Sequence, residues 1–305
     1  METSNEENNF KSNNFKHFFS PVGPLHSHHE EYIWPYDYVD RNSDTLLVTI
    51  GDSWTYGSGI DTSWPMHLPY TSLSPAQNNF RVNNLYGNLI SEDKGWNWLN
   101  LGFYSMGNQW IANKVFELRA LVPHLKFKKI IVMCVLTGTA RWFHTWQDGN
   151  MDYKSHFDKN AMTETQHYEN FFIDINKKII EQITHLTNSV GNVRLLVGTN
   201  GVDHCGFDSL REEQIIPLPW YRLLTDTKLN GISVDIDSIK YLPSMENYLS
   251  SEQKFAFQKW MMAKIDQAQE QTAMIKNMQC VSSDGFHPTH NGHRKWADYI
   301  IQKVL

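Results

Sequence analysis

The 305-residue chain has three cysteines, no long apolar run and no excess of positive charge, and each shortage excludes a class of protein. Cys134, Cys205 and Cys280 are odd in number and widely spaced, so they form neither a disulfide framework nor a zinc-ligand pattern, and a reducing compartment is the simpler reading. The longest apolar run, Ile130 to Leu136, is strand-sized and far short of the roughly 20 residues a membrane-spanning helix needs. No amphipathic helix with a basic polar face is legible, which argues against a membrane partner. The Met1 end is polar and Asn-rich, unlike a secretory signal peptide, so the expected location is the cytoplasm, or the virus particle for a viral source. Lys and Arg number 27 against 33 Asp and Glu, no basic run exceeds a pair, and broad nucleic-acid binding is not expected.

What is present suits a folded domain. Hydrophobic residues make up 41% and charged residues 20%, enough for a core. Residues 1–44 read as an N-terminal arm, partly flexible, with five Asn in the first fourteen positions and a His26-Ser27-His28-His29 cluster. Those imidazoles lie in a polar segment without fixed geometry, so they read as solvated histidines, and neither a metal nor another cofactor is expected.

Residues 45–305 read as one domain. Thr45 to Ile50 is a buried-strand run ending at Gly51, Trp96 to Leu101 a second ending at Gly102, Ile130 to Leu136 a third, Val193 to Val197 a fourth, and Met278 to Val281 a weaker fifth. Helical stripes lie between them: Ile111, Val115, Leu118 and Val122; Phe172, Ile175, Ile179, Ile183 and Leu186; Trp296, Ile300 and Val304. Strands alternating with helices imply an α/β, doubly wound, flavodoxin-like sandwich of about five parallel strands. Residues 58–95 and 201–249 read as insertions. In such sheets ligands bind outside the carboxyl ends of the strands, where the loops opening at Gly51, Gly102, Gly138, Gly198 and Ser282 converge.

Two of those loops carry chemistry. Gly51-Asp52-Ser53 holds a serine at the end of a buried strand, and Asp284-Gly285-Phe286-His287-Pro288 precedes the terminal helix. A serine hydroxyl is a weak nucleophile until a base takes its proton, and an imidazole is that base when a carboxylate fixes its tautomer. Asp284 and His287 are three residues apart across a glycine, so one tight turn can bring carboxylate to imidazole while the other ring nitrogen faces Ser53. Either fragment alone is an ordinary turn signal, and their conjunction at one sheet edge is the informative feature.

These two blocks resemble those of the SGNH (GDSL-type) hydrolases, which include esterases, lipases, acyl-thioesterases and carbohydrate deacetylases. The resemblance extends to Gly292-His293 and covers about residues 45–305. It implies Ser53 as nucleophile, His287 as general base and Asp284 as its orienting carboxylate. The Gly-x-Ser-x-Gly elbow of the α/β-hydrolases is absent, because Thr55 stands where its second glycine belongs. The family's oxyanion hole uses the nucleophile's N–H, a glycine N–H after the second strand and an asparagine side chain after the third. Asn100-Leu101-Gly102 resembles its second block, with Ser105 as donor by plain spacing and Gly107 by a two-residue insertion; Gly107 is preferred because glycine permits close approach. The third block departs from the family, with Ala140 at the asparagine position. Either Asn200 reaches across from the fourth strand, or Arg141 with Thr137 or Thr139 supplies the donor; Arg141 is preferred for its fixed charge, and some viral and phage relatives carry a similar Thr-x-x-x-Arg run.

Trp54, Tyr56, Trp64, Trp142, His144 and Trp146 fall near this edge and read as local core before they read as a sugar-stacking surface. The resemblance thus implies a metal-free serine esterase for an acyl or O-acetyl ester, including esters on a carbohydrate. The altered third block keeps open a rival, a binding protein on the same scaffold with little or no activity. Oligomeric state and natural substrate are not legible.

Overall fold

A strand covered by helices on both faces has no polar side, and the continuous apolar runs of this chain are where its sheet forms. The computed structural model describes residues 36–61, 73–103, 107–137, 141–145, 151–155, 169–200, 206–225, 280 and 287–305, and of 141–145, 151–155, 169–173, 175, 221, 222 and 225 only the backbone. In chain order the elements are β1 (Asp37–Val39), β2 (Thr45–Gly51), α1 (Ser53–Tyr56), α2 (Pro75–Asn84), α3 (Tyr86–Lys94), β3 (Asn97–Asn100) and α4 (Asn108–Leu121). There follow β4 (Lys129–Leu136), β5 (Arg141–Thr145), β6 (Met151–Ser155), α5 (Glu169–Asn188), β7 (Val193–Thr199), α6 (Trp220–Thr225) and α7 (His290–Lys303).

Among the described residues the main sheet has five strands in the order β1-β3-β2-β4-β7, and β5 pairs with β6 in a separate antiparallel ribbon. Strands β3, β2, β4 and β7 run parallel. Their order is second, first, third, fourth, the flavodoxin-type winding, which puts the topological switch point at the carboxyl end of β2.

The expected α/β sandwich is present, and among the described residues its sheet carries an edge strand that the sequence reading placed in the arm: β1 pairs antiparallel with β3, Asp37 opposite Asn100. Three residues are too few to show a period of two. The strand expected at 278–281 lies, apart from Cys280, outside the described residues.

Side chains of each strand alternate between two helical layers, as the pleat requires. Leu46, Val48 and Ile50 of β2 with Ile130, Val132 and Cys134 of β4 face Ile111, Val115 and Leu118 of α4 and Ile179 and Ile183 of α5. Leu47, Ile131, Met133 and Val135 face Leu89 and Ile90 of α3, Trp220 of α6, and Trp296 and Ile300 of α7. The stretch read as an insertion at 58–95 holds α2 and α3, and α3 packs against α7. Among the described residues no helix is long and apolar enough to cross a membrane.

Candidate active site

The chain leaves β2 through Gly51 and turns at once into α1, so Ser53 sits at the switch point. This turn closes on itself: Thr55 Oγ1 would lie 2.1 Å from a Cβ at position 51, so only glycine fits. Asp52 is the N-cap of α1, its Oδ1 accepting from Trp54 N–H at 3.0 Å. Its Oδ2 accepts from Asn200 Nδ2 at 2.7 Å, which ties the end of β7 to the start of the turn. Ser53 O accepts from Gly57 N–H and Ser58 N–H at 3.0 and 2.8 Å. The serine backbone is therefore held from both sides.

His287 approaches from the turn that enters α7. Thr289 caps that helix, and the backbone N–H groups of Thr289 and His290 donate to Cys280 O and Ile60 O at 3.0 and 2.9 Å. The imidazole Nε2 of His287 lies 2.9 Å from Ser53 Oγ, within hydrogen-bond reach across 234 residues of sequence. That is the contact through which a neutral imidazole takes a hydroxyl proton. Asp284 and Ser105 lie outside the described residues.

The other expected residues divide. Gly107 is the buried N-cap of α4, in an extended conformation, and Asn108 beside it makes a reciprocal pair with Thr137, whose N–H donates to Asn108 Oδ1 at 2.9 Å while Asn108 Nδ2 donates to Thr137 O at 3.0 Å. The start of α4 is thereby joined to the carboxyl end of β4. Asn200 is brought to the turn, but its amide is engaged with Asp52. Arg141 begins β5, which lies against α4; its side chain is not among those described. Trp54 and Tyr56 are buried in the core, and Trp64 and Trp146, like the histidines at 26, 28 and 29, fall outside the described residues. Among the described residues no group of His, Cys, Asp and Glu could hold a metal ion.

A buried polar network under the turn was not anticipated. Arg81 of α2 pairs with Asp37 of β1, Nη2 to Oδ1 at 2.5 Å and Nη1 to Oδ2 at 3.1 Å. Arg81 Nη1 also donates to Tyr56 O at 2.7 Å, and Asn100 Nδ2 donates to Asp37 Oδ2 at 3.0 Å and to Thr55 O at 3.3 Å. Asn100 Oδ1 accepts from Thr49 Oγ1 and Gly102 N–H at 3.0 and 3.1 Å. His293, one turn into α7, is fully buried and stacked on Tyr86, and desolvation, aided by the positive field of His290, Arg81 and His287, lowers its pKa to about 3. It stays neutral and accepts from Tyr86 N–H at Nδ1, 3.3 Å away.

No protein-family model matches the sequence, and no curated protein matches it at a significant level. Solved structures do match. A lipolytic protein of the G-D-S-L family from Veillonella parvula aligns over 85% of this chain and 97% of its own at 14% identity and a TM-score of 0.33. A second G-D-S-L family protein, from Desulfitobacterium hafniense, aligns over 85% of this chain and 99% of its own at 14% identity and a TM-score of 0.36. A carbohydrate esterase whose active site is described as having divergent catalytic and non-catalytic binding functions aligns over 86% and 69% at 12% identity and 0.35. Likenesses at this level carry no argument about chemistry, so the reading of the site rests on its own geometry.

Proposed function

We propose that the chain is a serine-dependent hydrolase of small acyl esters, with O-acetyl groups on carbohydrates within its substrate class. The observation that carries this reading is the 2.9 Å approach of His287 Nε2 to Ser53 Oγ at the switch point of the sheet. Ser53 Oγ attacks the ester carbonyl carbon as its proton passes to His287, and the carbonyl oxygen takes the negative charge. The C–O bond then breaks, the leaving alcohol takes the proton from His287, and an acyl-serine remains. Water, deprotonated by the same imidazole, releases the acid and regenerates the serine.

Asp284 is proposed to hold the imidazole in the required tautomer. The oxyanion meets the Ser53 N–H and the Gly107 N–H, with Arg141 as the charged donor in place of the amide that the third block lacks. The engagement of Asn200 with Asp52 supports Arg141 over Asn200 for that place and gives Asn200 the task of holding the turn. Acetate release from a panel of acyl esters and acetylated glycans tests the reading. Turnover that depends on Ser53 supports it, and a chain that binds an acetylated glycan but releases no acetate supports the non-catalytic alternative.

A further inference from the structure

Arg81 is a charge buried almost completely, with 1% of its side chain exposed, and it is paired with Asp37 beneath the serine turn. All five guanidinium N–H donors have acceptors: Nε and Nη2 share Asn78 Oδ1 at 3.2 and 2.9 Å, both terminal nitrogens meet Asp37, and Nη1 also reaches Tyr56 O. A buried ion pair is weak support for stability by itself, since apolar residues of similar volume often serve as well. Its retention here therefore points to what else the guanidinium holds.

What it holds is the far end of the serine turn. A four-residue helix leaves its last carbonyls without internal partners. Asn100 takes the one at Thr55, and Arg81 takes the one at Tyr56. The next residue, Gly57, has φ of 95°, and a Cβ there would lie 3.3 Å from Arg81 Cγ, so the arginine stem packs directly under it. Gly57 N–H in turn donates to Ser53 O at 3.0 Å. A continuous path of contacts thus runs from guanidinium to Tyr56 and Gly57, and from there to the serine. The Arg81 ring contact with Tyr56, 4.7 Å from its centroid, fixes the same segment from the side.

We infer that Arg81, charge-balanced by Asp37, is a positioning residue that sets the register of Ser53 against His287. This inference rests on the esterase reading and extends it to the buried pair beneath the serine turn. Arg81→Met with Asp37→Asn removes both buried charges and keeps an acceptor for Asn100, and Arg81→Lys keeps a cation beside Asp37 without the planar fork. Each is expected to unfold cooperatively yet to react with a fluorophosphonate probe about 10- to 100-fold more slowly than the wild type, since a misplacement of order 1 Å carries a penalty of that size. With p-nitrophenyl acetate, kcat should fall by the same factor while KM stays within about threefold, because the lost interaction does not touch substrate. Ile183→Ala, in the opposite helical layer, is the control: it should lower Tm and leave the labelling rate as it was. A normal labelling rate in either folded Arg81 variant, or an equal loss in Ile183→Ala, overturns the inference alone. A wild-type chain that is never labelled overturns the esterase reading and the inference with it.

Discussion

At the residue scale the proposed chemistry is concentrated in two side chains, Ser53 and His287. Ser53→Ala and His287→Ala should each lower ester turnover by several orders of magnitude, and the double variant should be little worse than either, because nucleophile and base act as a unit. Steady-state kinetics with circular dichroism to verify folding checks this; full activity in Ser53→Ala would remove the serine from the mechanism. Arg141→Ala should lower kcat by about 10²- to 10³-fold with little change in KM, as loss of one oxyanion donor does. Asn200→Ala should differ in kind. It removes a buried hydrogen bond to the Asp52 carboxylate, so it should lower stability by about 1–3 kcal/mol together with rate. A large kcat loss at Asn200 without loss of stability, beside normal turnover in Arg141→Ala, would exchange the two roles.

Ser53 and His287 were legible because each lies in a short local pattern, a serine after a strand-ending glycine and a histidine in an Asp-Gly turn before a helix. Asn200, Asn100, Arg81 and Asp37 were not legible in their present parts. Asn200 meets Asp52 across 148 residues and Arg81 meets Asp37 across 44, and no local spacing announces such a partner. Arginine on a polar helix reads as solvent-facing until the fold buries it.

At the element scale the strands that could be read are those buried on both faces and stopped by glycine. β1 escaped because three residues of an edge strand have no pattern, although Asp37 is one end of the network beneath the serine. α2 escaped for a different reason. Its Asn-rich sequence has a weak apolar stripe, yet Ser74-Pro75-Ala76-Gln77 carries both the capping box and the Pro at the first turn that mark a helix start, and the structure shows that box closed. The terminal helix was legible from Trp296 and Ile300, and its cap gives a prediction at this scale. Thr289→Ala should cost about 1 kcal/mol in urea unfolding, the usual worth of an N-cap. It should also slow turnover, since the cap begins the element that delivers His287; an unchanged rate at lowered stability would show that His287 is held without the helix.

For the whole molecule, the helical layer of α3, α6 and α7 encloses a buried neutral histidine, and this links stability to pH. The pKa of His293 is lowered to about 3 in the folded chain, against ~6.5 for an unperturbed histidine. The unfolded chain therefore binds a proton that the folded one refuses between these values. The sign follows: the contribution of His293 is fully present above about pH 6.5 and is lost as pH falls toward about 3, with a slope of up to ~1.4 kcal/mol per pH unit. Urea midpoints from pH 7 to pH 4 should decline more steeply in the wild type than in His293→Phe, and parallel curves would show that this burial is not what limits acid stability.

The proposed hydrolase depends most on one contact, 2.9 Å between Ser53 Oγ and His287 Nε2, because a serine hydroxyl becomes a nucleophile only with a base in reach of its proton. Intact-protein and peptide mass spectrometry after exposure to a fluorophosphonate probe measures that activation directly. A single adduct on Ser53, absent from Ser53→Ala and slowed severely in His287→Ala, is expected of a nucleophilic serine with His287 as its base. No adduct on the wild-type chain, or an adduct that persists in Ser53→Ala, would contradict it.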